Sequence, residues 1–149
     1  MKKTTLVGCL IFVVTFVVGV VVALQQGTKE DLFVHAQLHL SDQVKSRAKP
    51  HRTLYVILYD LESKMPMPYG AARFTLRGAP EGNFINLSLN RENLQIMNPK
   101  GKIPRNFRVK ARLDVDGRAG KDQMGDIIGE VQNVKYGSTN VRIDLNKVF

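Results

Sequence analysis

The sequence predicts an all-β domain: an antiparallel β-sandwich of immunoglobulin-like type with seven to eight strands, preceded by one N-terminal transmembrane helix. Short runs in which apolar and polar residues alternate recur from residue 31 onward, and turn residues separate them at regular spacing. A helical period is almost absent from this part of the chain, which argues against a mixed fold. A closed barrel is the alternative arrangement of such strands.

The N-terminal residues predict a membrane anchor. Residues 4–24 carry no charge, and at 1.5 Å per residue they span about 30 Å, the thickness of a bilayer core. Lys2 and Lys3 favour a cytoplasmic N-terminus, which puts the rest of a single-pass inner-membrane protein in the periplasm. Residues 21–23 would fit a signal-peptidase site, but the apolar run exceeds an ordinary signal-peptide core, so we favour an uncleaved anchor.

These boundaries predict the domain organisation. A chain of 149 residues is long enough for one domain with its own core, and too short for two plus a membrane segment. We expect a cytoplasmic stub (residues 1–3), a transmembrane signal-anchor helix (4–24), a short linker (25–30) and a periplasmic β-sandwich domain (31–149).

Residues 31–40 predict the first strand, since every second residue is apolar. In a strand, His35 and His39 lie on the polar face about 13 Å apart, too far to share a metal ion. In a helix they would form an i, i+4 metal pair, and the period of two favours the strand. Residues 41–48 then predict one or two helical turns, with Ser41 as the N-cap.

Residues 53–59 are a nearly unbroken run of β-forming residues, which predicts a central strand covered on both faces. The sequence Met65-Pro66-Met67-Pro68 follows, and its prolines cannot join an interior hydrogen-bond ladder. We therefore expect a stiff surface loop that holds the two methionines, with Tyr69 beside them, as an apolar patch for a partner.

The remaining strands alternate clearly. Asp116-Gly117 is the strongest hairpin signal in the chain. The outward faces of two strands carry cations: Arg73 and Arg77 on one, and Arg108, Lys110 and Arg112 on the other. If these strands were neighbours, the cations would form one basic face, but we favour an ordinary solvated sheet face. The predicted strands lie within residues 72–76, 84–90, 94–96, 107–115, 127–136 and 141–145.

Composition and motifs exclude several classes of function. The net charge of +9 is scattered, with no basic run, which argues against nucleic-acid binding. Cys9, the only cysteine, lies in the apolar segment, so the domain has no disulfide of its own. No nucleophile, base and orienting group occur in a recognisable pattern, so we expect neither an enzyme nor a small-molecule substrate.

A soft metal site is the alternative to a purely apolar patch. Met65 and Met67, with His51, offer the thioether and imidazole ligands that Cu(I) prefers. No pair has ligand spacing on a defined element, and Met97 and Met124 are expected to fill gaps in the core. We therefore expect no cofactor, with copper as the alternative.

Several short sequence segments occur in the same order as in one protein family. They are Val34 to Leu38, residues 41–44, residues 53–59, Met65 to Arg73, Phe84 to Leu94, Lys110 to Ala119, and Gly125 to Gly129. In this order they resemble the C-terminal periplasmic domain of the CycH (CcmI) family of bacterial cytochrome c biogenesis proteins. The resemblance covers essentially the whole predicted domain.

The resemblance implies a membrane-held accessory or chaperone-like protein that binds apocytochrome or haem-lyase components during cytochrome c maturation. A structural subunit of a membrane complex is a further alternative. Large family members also carry a tetratricopeptide region that grips apocytochrome; this sequence shows no helical repeat, so the resemblance does not imply that activity here. The residues expected to bind the partner are Met65, Pro66, Met67, Pro68, Tyr69, Arg73, Arg112, Gly117 and Arg118.

Overall fold

A computed structural model describes residues 32–65 and 67–149, and the predicted anchor and signal-peptidase site lie outside the described residues. No helix in the described part is both long and apolar enough to cross a bilayer. Ser41 caps a 3₁₀ turn (Asp42–Val44) that continues into α1 (Lys45–Ala48). The strands are β1 (Leu32–Leu40), β2 (Thr53–Asp60), β3 (Pro68–Thr75), β4 (Asn83–Asn90), β5 (Gln95–Ile96), β6 (Asn106–Asp114), β7 (Ile127–Lys135), β8 (Ser138–Leu145) and β9 (Lys147–Val148).

The strands form two sheets, which confirms the predicted all-β sandwich. The larger sheet has six strands in the order β5-β3-β2-β6-β7-β9, and the smaller has three in the order β4-β1-β8. β2 lies inside the larger sheet, and its first six residues are buried, as the unbroken apolar run predicted. β2 lies between β3 and β6, so the two strands that carry Arg73 and Arg112 are not direct neighbours.

One strand pair departs from the predicted antiparallel arrangement. β1 pairs with β4 antiparallel, but it pairs with β8 in parallel, with Ala36 opposite Val141 and Leu38 opposite Ile143. Alternation within each strand fixes which face is buried, but it carries no information about the direction of the neighbouring strand. The prediction of a purely antiparallel sandwich was therefore wrong at this pair.

The core lies between the sheets. Alternate apolar residues of β1, β6 and β8 fill it, as their sequence periods predicted, together with Leu54, Val56 and Leu58 of β2. An aromatic cluster closes one side, where the ring of Phe33 lies 5.9 Å from Tyr69, 6.3 Å from Phe107 and 5.4 Å from Tyr136. At Gly129 the sheets approach so closely that a Cβ would overlap the carbonyl oxygen of Asp144.

The predicted hairpin at Asp116-Gly117 does not form. β6 and β7 are antiparallel neighbours, but the long β6–β7 loop joins them rather than a two-residue turn. Gly117 does have the positive φ of +74° expected of a turn glycine. However, Asp114 Oδ1 accepts a hydrogen bond from Gly117 N at 2.6 Å, and Asp116 Oδ1 accepts one from Arg118 N at 2.9 Å. These hydrogen bonds from side chain to backbone stabilise a local turn at the end of β6 in place of the hairpin.

Candidate partner-binding surface

Met65 and Met67 lie on the connection between β2 and β3 and are 62% and 59% exposed, as predicted. Local hydrogen bonds shape this connection: Asp60 Oδ1 accepts from Glu62 N at 2.8 Å, and Ser63 Oγ accepts from Met65 N at 3.1 Å. Pro66 lies outside the described residues. The connection therefore presents two thioether side chains to solvent.

Met97 joins these two side chains. It is 51% exposed and, with Met65 and Met67, lines a cavity of about 460 Å³, which we call the loop cavity. The expectation that Met97 and Met124 fill the core was wrong, since Met124 is 89% exposed. The period of two already contained the signal for Met97: Leu94 is buried and Ile96 packs on the core, which leaves Met97 on the outer side.

We call Met65, Met67 and Met97 the methionine patch. It adjoins a second cavity of about 520 Å³, the outer groove, because Met97 and Pro68 line both cavities. The groove lies on the face of the larger sheet that points away from the core. Its lining includes the apolar side chains Tyr55, Ile57 and Ala71, with Arg73, and Gly120 of the β6–β7 loop. The methionine patch thus continues into a groove with an apolar floor.

Pro68 and Tyr69 are less exposed than a loop would make them, because β3 begins at Pro68. The first position of a strand tolerates proline. Tyr69 packs its ring against the core, 5.6 Å from Phe107, and burial raises the pKa of its hydroxyl. Tyr69 therefore supports the loop cavity from beneath, whereas the methionines form its exposed part.

The position of Arg112 on the polar face of β6 predicted a surface residue, and this prediction was wrong. Arg112 is only 1% exposed. Its Nη1 donates to the carbonyl oxygen of Gly120 at 2.8 Å, and its guanidinium lies 5.1 Å from the centre of the Tyr55 ring. The buried carboxylates of Asp114 and Asp126 neutralise it, at 2.9 Å from Nη2 and 3.7 Å from Nε. The β6–β7 loop covers this part of the sheet, which is why the polar face is buried.

Asp122 fastens the same loop to β6. It pairs with Lys110, and its Oδ1 lies 3.3 Å from Arg112 Nη1. Burial alone would raise the pKa of Asp122, but the hydrogen bonds and positive charges of Lys110 and Arg112 outweigh it and hold that pKa below its usual value. Asp122 is therefore an anion at neutral pH and holds the wall of the outer groove that Gly120 forms.

Gly117 and Arg118 differ in their surroundings. Gly117 is half-buried, and its carbonyl oxygen accepts a hydrogen bond from Tyr55 Oη at 3.1 Å, so its role is in shaping the loop. Arg118 is exposed, but it is not among the residues that line the outer groove. Of the expected partner-binding residues, the structure thus brings together Met65, Met67, Pro68, Tyr69 and Arg73 around the two cavities, with Arg112 beneath the groove.

The structure does not bring His51 together with Met65 and Met67. His51 precedes β2 and Met65 follows it, so the two lie toward opposite ends of a strand that is about 23 Å long at roughly 3.3 Å per residue. His51 is buried, and its Nε2 lies 3.0 Å from the carbonyl oxygen of Gly125. Among residues 32–65 and 67–149, no group of three His, Cys, Asp or Glu side chains could hold a metal ion.

His35 and His39 also have separate partners. Nδ1 of His35 lies 2.8 Å from Ser88 Oγ, and Nδ1 of His39 lies 2.8 Å from Asn83 Oδ1. Both side chains stand on the outer face of the smaller sheet, as the strand prediction required.

A family model described as the cytochrome c-type biogenesis protein H Ig-like domain matches residues 34–146. The match begins in β1 and ends just beyond β8, so it covers both sheets and the candidate surface. It confirms the resemblance drawn from the sequence and supports a role in cytochrome c maturation, with protein partners. No curated protein and no solved structure matches the chain. The chain belongs to the family of cytochrome c-type biogenesis protein H Ig-like domains.

Proposed function

We propose that this chain is a non-enzymatic docking protein of cytochrome c maturation, which binds apocytochrome or a haem-lyase component through the methionine patch and the outer groove. The observation that carries the proposal is the continuity of the two: Met97 and Pro68 line both cavities. An exposed apolar surface of this kind is typical of a protein-binding site.

The chemistry of the surface supports a protein partner. Thioether side chains are flexible and polarisable, so they adapt to varied apolar surfaces. The floor of the groove is more rigid, because Tyr55 and Ile57 belong to the central strand β2. A fixed apolar floor beside adaptable methionines allows an unfolded or extended chain to bind at a low entropic cost to the domain.

The proposal includes the location of the protein. Residues 4–24 anchor it in the inner membrane, and the domain faces the periplasm, where haem is attached to apocytochrome. The anchor raises the local concentration of the domain near membrane-bound partners, so a modest affinity for each is sufficient.

A site-specific photo-crosslinking experiment in cells tests the docking surface. A photoreactive phenylalanine analogue replaces Met67 or Met97 in separate variants, and Met124 serves as the matched control, since it is even more exposed but lines neither cavity. We expect crosslinks to apocytochrome or a haem-lyase component from the first two positions and none from the third. Equal crosslinking from all three positions would contradict the proposed surface.

A measurement of haem attachment accompanies the crosslinking experiment. Replacing all three residues of the methionine patch by aspartate should reduce covalent haem in periplasmic cytochromes, because carboxylates in an apolar interface stay desolvated and unpaired. The matched control is Met124→Asp, which should leave haem attachment unchanged. Normal haem attachment in the triple variant would refute the role of the patch.

Copper binding is a second candidate function, because Met97 supplies a third thioether to the cavity that Met65 and Met67 line. Three thioethers suit Cu(I). Titration of the purified protein with Cu(I) against a competing chelator tests this candidate. Uptake that the chelator cannot prevent, and that is lost when the three methionines become leucine, would support it; uptake no better than that of the leucine variant would exclude it.

A further inference from the structure

Arg73 differs from the cations that share its face of the sheet. It is opposite Tyr55 in the register of β3 and β2, and Arg112 is opposite the same Tyr55 on the other side. The cations of β6 all have carboxylate partners: Arg108 with Glu130 at 3.6 Å, Lys110 with Asp122, and Arg112 with Asp114. Within residues 32–65 and 67–149, the side chain of Arg73 takes part in neither an ion pair nor a hydrogen bond.

The unpaired guanidinium of Arg73 lies at the outer groove. Arg73 is exposed and lines the outer groove together with the apolar Tyr55, Ile57 and Met97. Its Nη2 reaches toward the β6–β7 loop, 4.0 Å from where a Cβ on Gly117 would lie. A guanidinium therefore stands at one side of an apolar floor, and its planar donors are free for an acceptor from outside the described chain.

We infer that the outer groove binds an extended peptide segment in which apolar side chains flank a carboxylate, and that Arg73 pairs with this carboxylate. The inference rests on the proposed function of the groove and identifies the chemistry of the partner. A guanidinium recognises a carboxylate through two parallel hydrogen bonds, and the surrounding apolar walls strengthen that pair by excluding water.

Charge complementarity favours a peptide over a lipid surface. An anionic membrane attracts clusters of several cations. In the outer groove, by contrast, Arg112 is neutralised by carboxylates of its own chain, and Arg73 stands among apolar groups. The adjoining loop cavity contains both Asp60 and Lys102, so it adds no net charge of either sign.

A pair of synthetic peptides tests the inference. Two end-capped fluorescent peptides share a central sequence of Leu-Val-X-Val-Leu, in which X is glutamate in one and glutamine in the other. Their binding to the full chain in nanodiscs is measured by fluorescence anisotropy, with empty nanodiscs as the blank. We expect the glutamate peptide to bind roughly three- to tenfold more tightly, the range for a partly shielded ion pair.

Variants assign this preference to Arg73. Arg73→Gln should remove the difference between the peptides, and Arg73→Lys should keep part of it. Arg77→Gln is the matched control, since Arg77 is also exposed but does not line the groove, and it should keep the full preference. Equal binding of both peptides to the wild type, a preference that survives Arg73→Gln, or binding no greater than to empty nanodiscs would each overturn the inference.

The two proposals fail in different ways. If crosslinks from Met67 and Met97 reach a maturation partner but the peptides show no preference, the docking function stands and the carboxylate recognition is wrong. If the peptides show the preference but no maturation partner is crosslinked, the groove has the inferred chemistry and the proposed function is wrong.

Discussion

Replacing Arg112 by methionine should destabilise the domain far more than its position on a polar strand face suggests. Methionine keeps much of the apolar stem and removes the charge. Asp114 and Asp126, both buried, then lose their guanidinium, which lies 2.9 Å from Asp114 Oδ2 and 3.7 Å from Asp126 Oδ2. Removing one partner of a buried ion pair costs about 3–5 kcal/mol of the free energy of unfolding. We expect Arg112→Met to fall in this range.

The same strand offers a matched control. Arg108 also lies over a tyrosine, 4.1 Å from the centre of the Tyr59 ring, and pairs with Glu130 at 3.6 Å. Both members of this pair are about one-third exposed, so water screens them. Arg108→Met should therefore cost at most about 1 kcal/mol. The contrast between the two variants isolates the effect of burial.

The loss in Arg112→Met should shrink on acidification. Burial raises the pKa of Asp114, and the charge of Arg112 opposes that rise. Without Arg112 the pKa of Asp114 rises further, so the folded state takes up a proton at a higher pH than the unfolded chain does. Folding is then favoured as the pH falls from about 7 toward the unfolded-state value of about 3.9.

Urea unfolding of the full chain in a mild detergent, followed by near-ultraviolet circular dichroism of its tyrosines, measures both effects. The midpoint and slope give the free energy of unfolding for wild type, Arg112→Met and Arg108→Met at several pH values. Equal losses in the two variants, or a loss in Arg112→Met that grows on acidification, would refute the reasoning.

Three further changes have expected outcomes in the same assay. Gly129→Ala should cost about 3 kcal/mol, because its Cβ would overlap the backbone of β8, whereas Gly78→Ala, whose Cβ meets nothing within 4 Å, should be nearly neutral. Phe33→Ala should cost about 3–5 kcal/mol, because it empties the centre of the aromatic cluster. Asp122→Asn should cost about 1–2 kcal/mol and speed tryptic cleavage after Lys121, since the β6–β7 loop loses its bond to β6; unchanged cleavage would contradict that role.

Local patterns were sufficient to predict most of the strands. The period of two in β1 put His35 and His39 on the outer face, and the unbroken run of β2 indicated its central place. Both predictions depend only on which side chains are apolar, because burial of apolar surface decides which side chains face the core.

The sequence pattern could not reveal what covers the outer face of β6. Alternation predicted that Arg112 and Lys110 are solvated, because period alone cannot distinguish a face that meets water from one that meets a loop of the same chain. The carboxylate of Asp122 comes from that loop, and only the folded chain brings it to the two cations. The Asp-Gly pair does not form a hairpin because the side chains of Asp114 and Asp116 accept hydrogen bonds from the backbone N–H groups of Gly117 and Arg118.

Only part of the partner-binding surface could be predicted from the sequence. Met65 and Met67 could be placed outside from the prolines beside them, which are incompatible with an interior ladder. Met97 comes from a distant stretch, and it joins them because β5 pairs with the start of β3. The apolar floor of the groove likewise depends on Tyr55 and Ile57, whose sequence pattern shows only that β2 is covered.

The parallel pairing of β1 with β8 makes the order of synthesis matter. β1 is the middle strand of the smaller sheet, yet one of its two neighbours comes far later in the sequence, so that Ala36 pairs with Val141. Closing so long a loop is slow, so most of the sequence must have emerged before this sheet can be completed. The face of the larger sheet that packs on β1 therefore stays partly uncovered during synthesis until β8 arrives, which leaves apolar core residues open to water for most of that time.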